Sequence, residues 1–200
     1  MIKEIFRYYF SKFRGYNIKF GGTIKNSTVS KKSVIGSKTS FTNSIINDYS
    51  YISDESRVRD CVIGKFVSIG RNVKIGLANH PIEHFSLSPF LYKSSFLGLK
   101  TLCDYNKFSD IEYKKTVIRN DVWIGDNVII PGGVTVGDGV IIGAGAIVTK
   151  DLEDYGIYVG IPAKKIGTRA MKNRLIELGL VEWWERSEDE IREIVRAYNE

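Results

Sequence analysis

The stretch TVIRNDVWIGDNVIIPGGVTVGDGVIIGAGAIVTKD, residues 116–151, decides how the chain folds. Ile118, Ile124, Ile130, Val136, Ile142 and Val148 recur every six residues. Four residues after each stands Val122, Val128, Val134, Val140, Ala146 or Leu152. A helical period of about 3.6 would not hold this phase, and a strand's period of two would not single out every sixth position. A short strand followed by a tight turn does. The aliphatic residue points inward, the residue four later points inward beside it, and Gly and Asn supply the turns. Three such hexads make one triangular coil of about 18 residues, and coils stack at roughly 4.8 Å, the separation of paired strands. The pattern predicts a mainly β chain wound as a parallel β-helix of about five coils.

The repeat extends towards the N-terminus. Ile24, Val29, Ile35, Phe41, Ile46, Ile52, Val58, Ile63, Ile69 and Ile75 are spaced 5, 6, 6, 5, 6, 6, 5, 6 and 6. All the five-residue steps (24 to 29, 41 to 46, 58 to 63) fall at one phase of the coil and should stack at one edge of the prism. The next step at that phase starts at Ile75, where the repeat stops until Ile118. Residues 77–115 therefore read as a long loop projecting from that edge, and a loop of this length in a regular solenoid is usually functional.

An open-ended solenoid needs covers. Residues 1–16 carry Ile2, Ile5, Phe6, Tyr9, Phe10 and Phe13 at helical spacing, with Lys3, Arg7 and Lys12 on other faces. They predict an amphipathic helix that covers the first coil, packs on a neighbouring copy, or rests on an acidic membrane. The β-helix is expected over 17–166 and a C-terminal helical cap over 167–200. One helix of the cap is marked by Leu175, Ile176 and Leu178, the other by Ile191, Ile194, Val195 and Tyr198, with Trp183–Trp184 as packing anchor between them.

The 200 residues include 19 Gly, 4 Pro and only 2 His, with a net charge of +6. The modest basic excess does not choose among anionic ligand, membrane and nucleic acid. The basic residues form no arginine-rich stripe or reader motif, so nucleic acid is not an expected partner. Two histidines cannot build a three-His metal site, and no metal is expected. Cys61 and Cys103 form no CxxC motif, and a reduced cytoplasmic protein is the simplest reading. No apolar run is long enough to span a membrane.

The hexads, the Asn79–His80 pair at the start of the loop, Trp123-Ile124-Gly125, Gly143-Ala144-Gly145 through Thr149-Lys150-Asp151, and Gly160-Ile161-Pro162-Ala163-Lys164 resemble the hexapeptide-repeat acyltransferases. With Trp183–Trp184 before a charged tail, the chain looks most like their xenobiotic and sugar acetyltransferase branch. The resemblance covers roughly residues 24 to 198. It implies a left-handed β-helix, a homotrimer, and acetyl-CoA as co-substrate in clefts between subunits.

Acetyl transfer to a hydroxyl needs a proton acceptor within hydrogen-bond reach of the nucleophile, and neutral imidazole suits this near pH 7. His80 matches the family's catalytic base. Trp123, Asp126, Gly143, Ala144, Thr149 and Lys150 resemble the residues around acetyl-CoA. Relatives often carry Arg shortly after the Pro-Ala-Lys motif; here that position is Gly167, and Arg169 is the nearest substitute. Asp48, Tyr49, Asn79 and His84 are candidates for the acceptor side. The expected function is O-acetylation of a sugar hydroxyl in surface-polysaccharide (capsule or O-antigen) biosynthesis, in the cytoplasm, with peripheral contact to the inner membrane face through the N-terminal helix. Acetylation of an antibiotic, N-acetylation of a nucleotide-linked amino sugar and a non-catalytic trimeric scaffold are the alternatives.

Overall fold

The computed structural model describes residues 9, 12, 13, 15–108 and 112–199. The expected helix over 1–16 lies almost wholly outside these. The rest winds as a left-handed parallel β-helix with three faces. The first face stacks Asn17–Ile18, Val34–Ile35, Tyr51–Ile52, Ser68–Ile69, Trp123–Ile124, Ile141–Ile142 and Gly156–Val159 in parallel. The second stacks Thr23–Lys25, Ser40–Thr42, Arg57–Arg59, Lys74–Leu77 and Ile129–Pro131. The third stacks Thr28–Val29, Ile45–Ile46, Cys61–Ile63, Thr116–Ile118 and Thr135–Val136. The winding thus begins before Ile24 and closes after Val148. Its last element, Lys164–Thr168, folds back antiparallel on Gly156–Val159.

The core is what the sixfold pattern requires. Ile18, Ile35, Phe41, Ile52, Val58, Ile63, Ile69, Ile124, Ile130 and Ile142 are inside the prism, and so are Val122, Val128, Val140 and Ala146, four positions after their hexad leaders. In the early coils the corresponding places hold hydroxyls: Ser33, Thr39, Ser44, Ser50 and Ser56 are buried. Each joins one coil to the next. The Ser50 hydroxyl donates to the Gly64 carbonyl at 2.7 Å and accepts from the Val67 amide at 2.9 Å. The Thr39 hydroxyl donates to the Ser53 carbonyl at 2.9 Å and accepts from the Ser56 amide at 3.2 Å. A buried hydroxyl is tolerable only when paired in this way. Among the described residues no buried side-chain N or O lacks a partner.

The five-residue steps do share an edge, the one between the second and third faces. Asn26, Asn43 and Asp60 turn it with φ of 47°, 50° and 47°, a left-handed conformation that Asn and Asp accept better than most residues. The long loop leaves from this edge, as the spacing predicts. At its departure Gly76 has φ 76°, and a Cβ there would lie 1.8 Å from the Arg59 carbonyl oxygen. The loop has its own packing. A hairpin pairs Ser95–Phe96 with Leu99–Lys100, Tyr92 is buried, and Lys93 pairs with Glu112. Its root is closed by the Asn79 amide donating to the Glu112 carbonyl at 2.8 Å, and the Arg59 guanidinium lies 3.7 Å over the Tyr113 ring.

The C-terminal tail forms α1 (Met171–Glu177) and α2 (Glu188–Asn199). It runs down the edge between the third and first faces, where a cover over the end of the solenoid was expected. Arg169 pairs with Asp121 at 2.5 Å, the Tyr155 hydroxyl donates to the Val181 carbonyl at 3.3 Å, Lys65 pairs with Glu185 at 2.7 Å, and Lys32 pairs with Glu188 near the base. The Trp183 ring packs 4.6 Å from that of Phe66, and Trp184 is buried. Trp183 thus anchors the tail on the solenoid, where the sequence suggested an anchor between the two helices of the tail.

Candidate active site

His80 stands at the loop root, exposed to solvent. Its Nδ1 is 2.8 Å from the Leu87 carbonyl oxygen and 3.1 Å from the Tyr92 hydroxyl. A carbonyl can only accept, so the Nδ1 position carries the proton and Nε2 the lone pair. Burial pushes the Tyr92 phenol upward in pKa, so it stays protonated near neutrality. The ring therefore has one nitrogen tied to the loop backbone and the other available as a base. His84 is held differently. Its Nδ1 is 2.9 Å from the Ser86 carbonyl oxygen, and its ring lies against Phe85, Tyr92 and Phe108.

Beneath the loop root, at the same edge, opens a groove of about 730 Å³. Asn79, Lys114, Gly132, Gly133, Thr149 and Lys150 line it, with Pro131, Val134 and Asp151. Asn79, Thr149 and Lys150 are thus brought together. The Asn79 side chain donates to the Gly132 carbonyl at 3.4 Å.

Gly143 and Ala144 lie at the other border of the second face, on the circuit that continues to Thr149. Ala144 is exposed, and Gly145, with φ 73°, has open space where a side chain would stand. An extended ligand can approach the backbone closely there. Asp126 occupies the adjacent coil, its carbonyl accepting from the Gly145 amide at 2.8 Å, as the 18-residue spacing implies. Its carboxylate accepts from the Arg71 amide at 2.7 Å and so serves the turn. Trp123 stands half-exposed on the first face, in register with Ser68 and Ile141.

Three expected residues sit elsewhere in the chain. Arg169 is at the edge between the third and first faces, its guanidinium against Asp121; burial pushes the Asp121 carboxyl up in pKa and Arg169 opposes this. Asp48 and Tyr49 lie on the same edge. The Ser30 hydroxyl donates to Asp48, and Tyr49 stacks on Phe66 at 4.9 Å with Lys32 over its ring. Within one chain these three are not brought to the His80 loop. Sequence reasoning missed Lys114 and the Leu87 carbonyl. A backbone carbonyl leaves no sequence signal, and a lysine beside a loop carries no motif. Among the described residues no three of His, Cys, Asp and Glu gather as a metal site would need, and no helix is long and apolar enough to cross a membrane.

The family described as bacterial transferase hexapeptide (six repeats) matches residues 115–150, and the GlmU-like C-terminal hexapeptide family matches residues 14–88. A probable macrolide acetyltransferase of Lysinibacillus sphaericus is 38% identical over 158 residues, 76% of this chain and 81% of the relative. A chloramphenicol acetyltransferase of Agrobacterium fabrum is 35% identical over 188 residues, 88% of this chain and 84% of the relative. Among solved structures, a galactoside acetyltransferase in complex with coenzyme A is similar with a TM-score of 0.52 and 25% identity, over 77% of this chain and 68% of that one.

Proposed function

The chain belongs to the hexapeptide-repeat acetyltransferases, enzymes that use acetyl-CoA, and we propose that it transfers the acetyl group to a sugar hydroxyl in surface-polysaccharide biosynthesis. The observation that carries the chemistry is the His80 ring, with Nδ1 anchored on the Leu87 carbonyl at 2.8 Å. Nε2 takes the proton from the acceptor hydroxyl as its oxygen attacks the thioester carbonyl. The carbon–sulfur bond breaks, CoA leaves as the thiol, and the proton ends there through His80. Such a base contributes about 10²–10⁴-fold in rate. Backbone amides lining the cleft stabilise the oxyanion.

The residues present suit acetyl-CoA. Gly143, Ala144 and Gly145 leave the backbone approachable for the pantetheine arm, Trp123 and Asp126 flank it, and Thr149 and Lys150 meet the far end. His80 stands at one edge of the prism while Ala144 and Trp123 border another. A homotrimer, with each cleft shared between two copies, unites them, and it could bring Asp48, Tyr49 and Arg169 nearer the site. On the acceptor side, Asn79 and His84 flank the base, and Phe85 and Tyr105 are exposed on the loop, where aromatic rings can stack on a sugar. Work in the cytoplasm, with residues 1–16 touching the membrane that carries the glycan intermediate, completes the reading.

The test is thiol release from acetyl-CoA across a panel of sugar, glycan and antibiotic acceptors. Acetylation of a sugar hydroxyl, lost in His80→Ala, supports the proposal; wild-type turnover in His80→Ala would sink the assignment of the base. A second reading, acetylation of an antibiotic hydroxyl, is favoured by the two relatives named for macrolide and chloramphenicol acetylation. Product with those drugs and none with any sugar would establish it. Product on an amino group would shift the reaction to N-acetylation.

A further inference from the structure

The proposed chemistry makes the His80 ring a cation for part of each turnover, between taking the proton from the acceptor hydroxyl and passing it to the departing thiolate. Groups that face the other ring nitrogen then matter twice. They set where the ring proton sits beforehand, and they bind the charged ring more strongly than the neutral one. Two oxygens face Nδ1, the Leu87 carbonyl at 2.8 Å and the Tyr92 hydroxyl at 3.1 Å.

Tyr92 is built firmly into the long loop. It follows the short turn Pro89–Leu91, its amide donates to the Pro89 carbonyl at 3.3 Å, and its carbonyl accepts from the Lys107 amide at 2.9 Å. Its ring makes T-shaped contacts with Phe108 at 6.0 Å and His84 at 5.8 Å, and the residue is only 3% exposed. Packing of this kind asks for an aromatic ring and not for a hydroxyl. A buried hydroxyl has to be paired, and the partner here is Nδ1 of His80.

The direction of that bond follows from the carbonyl. A phenol donating to Nδ1 would leave the ring proton on Nε2, where it would disable the base. The Leu87 oxygen would then face a lone pair at 2.8 Å. The proton on Nδ1 therefore lies between two oxygens, and Tyr92 accepts a share of it.

Resting on the acetyl-transfer reading, we propose that Tyr92 is a positioning residue for His80. Its buried hydroxyl is a second acceptor for the Nδ1 proton. It holds the ring in the form whose Nε2 is free, and it stabilises the imidazolium that forms as the acceptor is deprotonated. The base is thereby coupled to the aromatic packing of the loop that carries it.

The experiment compares full-length wild type, Tyr92→Phe, His80→Ala and the double variant. Phenylalanine keeps the ring and removes only the hydroxyl. In thiol-release kinetics Tyr92→Phe should lower kcat about three- to tenfold, the worth of one hydrogen bond to a charged group. Both KM values should stay within about twofold, because the loss falls on the transition state. Added to His80→Ala, the same change should alter the residual rate by less than about twofold, because Tyr92 acts through the ring. A second readout needs no turnover. The chain has two histidines, so the spectrum of His80→Ala assigns the ring nitrogens of His80 by ¹⁵N NMR. Wild type should carry the proton on Nδ1, and Tyr92→Phe should raise the share of the Nε2-protonated form. A wild-type kcat in Tyr92→Phe would overturn the proposal. So would an equal loss in the His80→Ala background, the mark of a merely structural role, or an unchanged tautomer ratio. If wild type releases no thiol with any acceptor, the acetyl-transfer reading fails, and the ring spectra still decide whether Tyr92 holds His80.

Discussion

Gly76→Ala is the substitution with the sharpest expected effect. Gly76 has φ 76°, and an added Cβ would sit 1.8 Å from the Arg59 carbonyl oxygen. That oxygen belongs to the strand Arg57–Arg59 in the coil below, which is paired on both sides and cannot swing away as a flexible side chain would. Holding alanine in the left-handed region costs about 1–2 kcal/mol. Forcing a methyl group into filled space costs about 1–3 kcal/mol more. At about 2–4 °C per kcal/mol for a chain of this size, the melting temperature should fall by about 4–20 °C. Gly98→Ala is the internal control. It has a similar φ of 81°, but nothing lies within 4 Å of the new methyl group. It carries only the backbone cost, in the turn of the loop hairpin, where local opening can relieve it. Thermal melts followed by circular dichroism compare the two, and thiol release shows whether moving the loop root also displaces His80. Equal melting temperatures for the two variants would refute the reasoning, since crowding against Arg59 would then not fix the loop's departure.

Further outcomes follow from the same structure. His80→Ala should lower kcat by about 10²–10⁴ and leave the KM for acetyl-CoA within a few-fold; a kcat unchanged with the true acceptor would count against Nε2 as the base. Ser50→Ala removes a buried hydroxyl that satisfies both the Gly64 carbonyl and the Val67 amide. It should destabilise by about 1–3 kcal/mol, and a denaturation midpoint matching wild type would show that the ladder contributes little. Lys32 draws the Glu188 carboxyl down to about 2 from the usual 4.5, by hydrogen bond first, with Tyr49 assisting. A carboxylate lowered on folding stabilises fully above its unfolded pKa, and that contribution is lost as pH falls towards the folded value. Trp183 and Trp184 fluorescence should therefore report loosening of the tail between pH 4.5 and 2, with a smaller step in Glu188→Gln; identical profiles for the two proteins would refute the link.

The repeat told more about the outline of the molecule than about its interior. The spacing of Ile24, Phe41, Val58 and Ile75 located the short edge, and with it the exit of the loop, because one missing residue per coil has to stack. The hydroxyl ladder was invisible to the same reading. Ser50 and Ser56 look polar in sequence, and their burial depends on partners a full coil away. Asp48 and Tyr49 are candidates for the acceptor side by sequence. The chain turns a further corner before reaching them, so they sit under the tail. The tail's course was not legible because it is set by isolated pairs, Lys32 with Glu188 and Lys65 with Glu185, more than a hundred residues apart. At the candidate site, His80 and the Thr149–Lys150 pair are singled out by the motifs that carry the resemblance. Lys114 and the Leu87 carbonyl are not, since tertiary folding alone brings them to the groove and to the imidazole.

The reversed strand Lys164–Thr168 bears on how the molecule coexists with its own copies at high concentration. A stack of parallel coils that simply stopped would expose an unpaired edge, on which the first coil of another molecule could seat and so begin a fibre. Along the first face that edge is instead occupied by a strand running the wrong way, with the exposed Lys164 and Lys165 on it. An arriving coil would meet a mismatched ladder and the charge of Lys164, Lys165 being paired with Glu153 at 2.7 Å. Elongation along the axis is blocked at that border.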